Sequence, residues 1–185
     1  MSSLTLLALA AALAPAPAAD TTYNGVTLPA TVEVGGQSLV LNGVALRKKA
    51  VFKVYVAGLY LPARSGSANQ ILAADQPRHL VMEFLRDVDK GKMCEAWDEA
   101  LKNNTPDASA ELKQQFVTLC EWMDDIKKGE QFAFTYLPGA GTRVTVKGVE
   151  KGTIEGKAFA DALFKAWIGP HPGPGEGFKK QLLGA

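Results

Sequence analysis

The sequence predicts an α+β fold in which an antiparallel sheet is covered by helices on one face. Three observations support this fold class. Residues 26–62 read almost entirely as strands, two helical segments occupy the middle of the chain, and three short strands precede the last helices. Runs of strands separated from runs of helices are typical of α+β domains. No internal repeat divides the sequence, so we expect one domain over residues 19–185.

The first strands are marked by apolar alternation and by turn residues. Gly35–Gly36 separates the segments TVEV and SLVLNGVAL, as expected for a hairpin. The basic residues Arg47, Lys48 and Lys49 are the predicted turn before a second long strand, which reads AVFKVYVAGLYLP. That strand, residues 50–62, contains Tyr55 and Tyr60.

The strand at residues 50–62 presents two different faces. Because successive side chains alternate across a strand, Lys53 and Tyr55 share one face with Ala57 and Leu59. The opposite face carries apolar side chains, a glycine and a second tyrosine: Phe52, Val54, Val56, Gly58 and Tyr60. A few polar groups on an apolar wall are typical of a small-molecule pocket. The alternative is a half-solvated strand in which Lys53 and Tyr55 contact water.

Capping residues define the elements in the middle of the chain. Ser67 is placed to cap a short helix, and Arg78 to Val88 follows as a strand. Asp89 can cap the first long helix, and Thr105–Pro106 is the predicted start of the second. The second helix has a core-facing stripe at helical spacing, formed by Leu112, Phe116, Leu119, Cys120 and Met123.

The last third of the chain contains three short strands and two helices. The strands are GEQFAFTYLP, TRVTVKG and EKGTIEG, which are joined by glycine-containing turns. The apolar segment GKAFADALFKAWIG is the predicted closing helix. A proline- and glycine-rich loop and a short amphipathic tail follow it.

Two cysteines lie in the two middle helices. Cys94 is early in the first helix and Cys120 is late in the second. A short connection makes the helices antiparallel neighbours, so the two thiols would lie at a similar height. This placement permits a disulfide, and two small buried thiols are the alternative.

The N-terminus has the layout of a secretory signal peptide. An apolar stretch from Leu4 to Leu13 precedes a proline- and alanine-rich run with the small-residue pattern of a cleavage site at Ala16–Ala18. We therefore expect residues 1–18 to be a signal peptide and the protein to be periplasmic or secreted. A short membrane anchor is the alternative. No later stretch is apolar and long enough for a transmembrane helix.

Composition and motifs argue against several functional classes. Twenty basic and nineteen acidic residues give a formal charge of +1, without the basic face that nucleic-acid binding requires. The sequence has no P-loop, zinc-binding or nucleophile-elbow motif, and its two histidines, His79 and His171, are far apart. We expect neither a nucleic-acid partner nor a metal or other cofactor.

Two segments of the sequence resemble the chalcone isomerase superfamily, in particular its bacterial chalcone isomerase-like branch. The first is GVALRKKAVFKVYVAGLYLP, and the second is ALFKAWIGPHPGPGEGFKKQLLG. The resemblance extends from Tyr23 to Gly184. It implies an open-faced β-sandwich, a large antiparallel sheet with a helical layer and a ligand cleft between them.

The resemblance also implies candidate site residues. Fatty-acid-binding members hold a carboxylate with an arginine and a tyrosine, and the matching positions are Arg47 and Tyr55, with Tyr60 as the alternative tyrosine. A guanidinium offers paired donors to a carboxylate, and a phenol adds a third. Together with the predicted signal peptide, the resemblance implies an exported protein that binds a small amphipathic anion, such as a fatty acid, without catalysis.

The ring-closing isomerases of the superfamily differ from this sequence at catalytic positions. Tyr55 and Ala166 stand where the enzymes have threonines, and DKGKMCEAWDEALKNN lacks their helical tyrosine, lysine and asparagine. Two alternatives to simple binding are an isomerase acting on a chalcone-like substrate and a ligand-free accessory protein of the cell envelope.

Overall fold

The computed structural model describes residues 19–185, so the predicted signal peptide lies outside the described residues. The strands are β1 (Thr21–Tyr23), β2 (Val26–Leu28), β3 (Thr31–Val34), β4 (Gln37–Lys49), β5 (Phe52–Leu61), β6 (Arg78–Phe84), β7 (Gln131–Leu137), β8 (Gly141–Val146) and β9 (Val149–Ile154). The helices are α1 (Ala68–Ala73), α2 (Lys90–Asn104), α3 (Ala110–Glu121), α4 (Lys157–Ile168) and α5 (Glu176–Leu182). None of these helices is long and apolar enough to cross a membrane.

Strands β3 to β9 form one antiparallel sheet in which spatial order follows chain order. Strands β1 and β2 form a separate hairpin. Because every neighbour in the large sheet is also a neighbour in sequence, short turns are sufficient to connect most strands. The α+β fold class predicted from the sequence is confirmed.

The two faces of the sheet contribute to two separate cores. On one face, Tyr55, Ala57 and Leu59 of β5 join a large apolar cluster with the helices. On the other, Val56 and Tyr60 pack in a smaller cluster with the β1–β2 hairpin. From Tyr55 to Tyr60 the sequence predicted this division from alternation alone, and the structure confirms it.

Before Tyr55 the predicted division of β5 is wrong. The β4–β5 ladder has an extra residue at Val54. Phe52 and Val54 therefore lie on the helix-covered side and line the cleft between the sheet and the helices, whereas Lys53 does not.

The predicted turn at Arg47, Lys48 and Lys49 is wrong. Strand β4 continues through Lys49, which pairs with Phe52, and the chain reverses at Ala50 and Val51. Ala50 adopts a positive φ of 52° in this turn. Backbone pairing with β5 extends the strand into the basic segment, and Lys48 and Lys49 are tolerated there because both are exposed.

The predicted start of the second long helix is also wrong. Thr105 instead ends α2, where its backbone N–H donates to the carbonyl oxygen of Leu101 at 2.8 Å. Helix α3 begins after Ser109, whose hydroxyl accepts from the backbone N–H of Leu112 at 3.1 Å. The predicted caps of the other two helices, Ser67 and Asp89, are confirmed.

A buried ion pair fixes α4 on the sheet. The Arg78 guanidinium of β6 is fully buried and lies 2.6 Å from an Asp161 carboxylate oxygen of α4. The same guanidinium lies between the rings of Tyr136 and Phe164, 4.9 and 5.1 Å from their centroids. Lys157 shares the Asp161 carboxylate, so a cation accompanies each of its two oxygens. The first half of α4 is therefore held to β6 by charge as well as by apolar packing.

The C-terminal helix α5 packs closely on β4 because residue 43 is a glycine. A Cβ at Gly43 would collide with the carbonyl oxygens of Gln181 and Leu182. The neighbouring Asn42 side chain donates to the Leu182 carbonyl at 2.7 Å and accepts from the Ser65 N–H at 2.7 Å. These contacts place Phe178 of α5 beside the helix-facing side of β5.

A disulfide joins Cys94, near the start of α2, to Cys120, near the end of α3. The Cα atoms are 5.3 Å apart, and 26 positions of sequence separate the two residues. The bridge ties together the two helices that cover the central strands.

We expect loss of this disulfide to destabilise the fold measurably. Closing a loop of this length restricts the unfolded chain by roughly 3 kcal/mol. The double variant Cys94→Ala/Cys120→Ala should lose about that much unfolding free energy in urea denaturation. Dithiothreitol should produce a similar loss in the wild type and none in the variant. A reduced wild type with an unchanged midpoint would contradict this expectation.

Candidate ligand-binding site

A cleft of about 350 Å³ lies between the helix-covered face of the sheet and helices α2 and α4. The ends of β4, β5 and β6 form one side, and α2 forms the other. The last turn of α4 and the loop after it close one end. The volume is within the ordinary range of small-molecule sites.

The inner wall of the cleft is apolar and rigid. It is lined by buried side chains from β6, α2 and α4: Met82, Phe84, Met93, Trp97, Ala100, Ala166 and Trp167. The rings of Trp97 and Trp167 meet edge to face with their centroids 5.4 Å apart. Such aromatic packing favours one arrangement of the two indoles. This wall suits a hydrocarbon chain or a ring.

Tyr55 places a phenol oxygen within this apolar wall. Its ring packs against Phe84 and Phe178, with centroids 5.5 and 5.8 Å away. The Trp167 indole N–H donates to the Tyr55 oxygen at 3.1 Å. Since that oxygen already accepts from the indole, its own hydrogen is left to donate to a different partner.

Burial raises the pKa of Tyr55 to about 12, and the hydrogen bond from Trp167 and the charge of Arg47 oppose that rise. The phenol is therefore neutral at physiological pH. A neutral phenol can donate its hydrogen to an anion without adding a second negative charge.

Arg47 lies directly opposite Tyr55 in the β4–β5 ladder. Directly opposed residues of an antiparallel pair project from the same face and have neighbouring Cβ atoms. Both residues line the cleft. Within residues 19–185, no carboxylate forms an ion pair with the Arg47 guanidinium, which is partly exposed. The site thus joins an available positive charge to a neutral donor.

Tyr60, the alternative tyrosine, lies outside the cleft. It is fully buried on the opposite face of the sheet, and its hydroxyl donates to the Pro29 carbonyl oxygen at 3.0 Å. The physical reason is parity, because an odd number of positions separates Tyr60 from Tyr55 along one strand. The structure therefore corrects the placement of Tyr60 in the candidate site. Lys53 is exposed and is also absent from the cleft lining.

The mouth of the cleft is predominantly basic. Lys49, Arg86 and Lys92 line it in addition to Arg47, together with the acidic Asp87 and Glu99. The Asp87 carboxylate is paired with Lys127 at 3.0 Å and accepts from the backbone N–H of Lys128 at 3.0 Å. The N–H donor and the Lys127 ammonium hold the pKa of Asp87 below its usual value. An entering anion therefore faces net positive charge.

Some lining residues were not identified as functional from the sequence. Trp167 was not assigned a function from the sequence, although its indole N–H donates to the Tyr55 hydroxyl. A buried indole N–H usually finds an acceptor, and this rule was the available signal. Arg86 and the α2 residues of the cleft gave no sequence signal, because their roles depend on how the loops and helices pack.

Nothing in the described chain points to metal chemistry. Residues 19–185 contain no group of three or more histidine, cysteine and acidic side chains arranged to hold a metal ion. His79 shares a hydrogen bond with the Thr135 hydroxyl at 2.8 Å on the Tyr60 side of the sheet. Burial lowers the pKa of His79 to about 4, so its ring is neutral at physiological pH.

Comparison with known proteins relates this architecture to one family. The family model described as chalcone isomerase-like matches residues 20–184. The crystal structure of a fatty-acid binding protein from Arabidopsis thaliana is similar with a TM-score of 0.71 and 18% sequence identity. The match covers 89% of this chain and 95% of that chain, and at this identity it establishes a shared fold. Among curated proteins, none matches.

We expect Tyr55 to contribute to alkaline unfolding. Its pKa is about 12 in the folded chain and ordinarily 10.0. Between these pH values the unfolded state releases the phenol proton and the folded state retains it, so the unfolding free energy falls as pH rises.

The expected contribution of Tyr55 is about 1.4 kcal/mol per pH unit. Urea denaturation across this range should give a shallower pH slope for Tyr55→Phe than for the wild type. Below pH 10 the difference between the two proteins should be constant. Identical slopes above pH 10 would show that the phenol titrates normally.

Proposed function

We propose a ligand-binding function for this protein on the premise that it belongs to the chalcone isomerase-like family. The proposed ligand is a small amphipathic anion, such as a fatty acid, held in the cleft between the sheet and helices α2 and α4. The observation that carries the proposal is the pairing of Arg47 with Tyr55 at the polar end of an apolar cleft.

The ligand's anionic group would lie between Arg47 and Tyr55. A guanidinium offers paired N–H donors to a carboxylate, and these charge-assisted hydrogen bonds are stronger than neutral ones. The Tyr55 hydroxyl adds a donor whose direction is limited by the Trp167 indole. The two side chains come from neighbouring strands, so the site does not depend on a mobile loop to assemble.

The apolar part of the ligand would contact the wall formed by β6, α2 and α4. The cleft volume of about 350 Å³ holds roughly twelve non-hydrogen atoms if each needs about the volume of one water molecule in the liquid. This estimate favours a chain of medium length. The fatty-acid binding protein of Arabidopsis thaliana shares the fold and supports this ligand class.

Binding is favoured over the ring-closing reaction because of two residues in the cleft. Tyr55 and Ala166 both line it, and both stand where the isomerases have threonines. The Ala166 methyl group offers no hydrogen bond with which to polarise a ketone. The ligand-free accessory alternative would be supported by a cleft filled with side chains, so the cleft volume also favours a ligand.

We further propose that the protein works outside the cytoplasm and belongs to the bacterial branch of the family. Support for export comes from the signal-like sequence of residues 1–18 and from the Cys94–Cys120 disulfide, since disulfides persist in oxidising compartments. Support for the branch is the segment KVYVAGLYLP.

Laurate binding by calorimetry tests the proposed function. Removing a hydrogen bond to a charged group costs about 1.5–3 kcal/mol, so Arg47→Met should weaken laurate binding at least ten-fold. Methionine keeps an unbranched, flexible side chain and removes the charge and the N–H donors. Tyr55→Phe removes a single hydrogen bond to the carboxylate and should weaken binding about ten-fold, which is less than the effect of removing the paired donors and the charge of Arg47.

The chain offers a matched control for each variant. Arg64→Met removes an exposed charge from a loop outside the cleft. Tyr60→Phe removes the hydroxyl of the tyrosine on the opposite face. Both controls should bind laurate like the wild type. The proposal fails if Arg47→Met retains full affinity, or if the controls lose as much affinity as the cleft variants.

A further inference from the structure

The turn between β4 and β5 carries two exposed apolar side chains. Val51 is 86% exposed and Phe52 is 57% exposed. Both belong to a tight hairpin whose strands pair up to Lys49 and Phe52. The apolar tip is thus held on a paired backbone, where no other part of the described chain covers Val51.

Basic residues surround this apolar tip. Arg47, Lys48, Lys49 and Lys53 flank it, and residues 34–74 contain no acidic residue. Arg86 adds a guanidinium that stacks on the Phe52 ring, 4.6 Å from its centroid.

The acidic residues of the neighbouring strand and loop are already engaged. Asp87 pairs with Lys127 at 3.0 Å. Glu83 accepts from the Gln131 side chain at 2.9 Å. The Asp87 charge is therefore already balanced by a cation, whereas the Glu83 carboxylate has a neutral hydrogen-bond donor.

The ladder places Lys48 directly opposite Lys53. Like charges directly opposed across two strands destabilise a sheet. An anionic surface in contact with both ammonium groups would remove this repulsion. The pair is therefore better explained by an anionic partner than by the stability of the hairpin.

We propose that this tip, residues 47–53, docks onto a lipid surface that carries anionic headgroups. Val51 and Phe52 would enter the interface between headgroups and acyl chains, where apolar and aromatic side chains are favoured. The lysines would contact the headgroups, and each basic residue near an anionic membrane strengthens binding by about five-fold.

The position of the tip explains why such docking would be useful. Lys49 and Phe52 of the tip also line the cleft, as does Arg86, which stacks on Phe52. A docked hairpin would bring the cleft mouth to the lipid surface, so an amphipathic anion could move between membrane and cleft without crossing bulk water. This use of the surface rests on the proposed function, whereas the docking itself can be measured separately.

Vesicle sedimentation of residues 19–185 tests the docking. The wild type should sediment with vesicles of phosphatidylcholine and phosphatidylglycerol, and much less with phosphatidylcholine alone. Raising the salt concentration should weaken the binding. The double variant Lys48→Glu/Lys53→Glu should weaken it at least roughly twenty-fold. Val51→Asp should weaken it about ten-fold because a charge replaces the most exposed apolar side chain.

Matched variants elsewhere on the surface provide the controls. Val149→Asp alters a valine that is 60% exposed at another hairpin. Lys113→Glu/Lys180→Glu reverses two exposed lysines on α3 and α5 and gives the same change in net charge. Both controls should sediment like the wild type. Docking by this tip is wrong if the tip variants also sediment like the wild type.

Laurate affinity in solution separates this inference from the proposed function. None of Lys48, Val51 and Lys53 lines the cleft, so the tip variants should bind laurate normally. A wild type that binds laurate but sediments with neither kind of vesicle would overturn the docking alone, and would leave an acidic protein as the partner of the basic tip. Equal sedimentation with both kinds of vesicle would overturn the role of the lysines.

Discussion

Helix α4 is held to the sheet at both of its ends, and the cleft depends on that attachment. In its first half, Asp161 pairs with the fully buried Arg78 guanidinium. In its last turn, the Trp167 indole donates to the Tyr55 phenol. Removing one partner of a buried ion pair leaves an uncompensated charge and typically costs 3–5 kcal/mol. The position of α4 relative to β5 and β6 is therefore strongly determined, and so is the width of the cleft beside it.

The β4–β5 hairpin combines three kinds of chemistry along its length. At its tip, Val51 is exposed among lysines. Farther from the tip, Arg47 of β4 lies opposite Tyr55 of β5. Beyond Tyr55, Ala57 and Leu59 enter the core beneath the helices. A carboxylate with a hydrocarbon chain matches the positive charge and the neutral donor of the hairpin, together with the apolar wall that β6, α2 and α4 supply. One local element thus supplies both the proposed membrane contact and the proposed anion site.

Much of the fold could be predicted from local patterns, whereas much of the site could not. Alternation correctly divided β5 between two cores from Tyr55 onward but failed before it, where the ladder is irregular, and Gly35–Gly36 and Asp89 marked a turn and a cap. The face on which Arg47 lies was not predictable. Counting alternate residues back from Tyr55 fails, because the β4–β5 ladder shifts its register between Arg47 and Lys48 and the chain reverses at residues 50–51. The sequence predicted the start of α3 at Thr105, whereas Thr105 ends α2 and Ser109 caps α3. The buried Arg78 pair and the Trp167–Tyr55 bond join residues distant in sequence, so no local pattern could reveal them.

The central claim is that the Arg47 charge, beside a neutral Tyr55, holds the anionic group of the ligand. The most direct measurement is a pH titration of laurate labelled with carbon-13 at its carboxyl carbon, followed by NMR while bound to the protein. An adjacent guanidinium lowers a carboxyl pKa, whereas burial without a charged partner raises it. We predict that laurate bound to the wild type titrates at lower pH than free laurate, and that laurate bound to Arg47→Met titrates at higher pH. The same titration in both proteins would contradict the account.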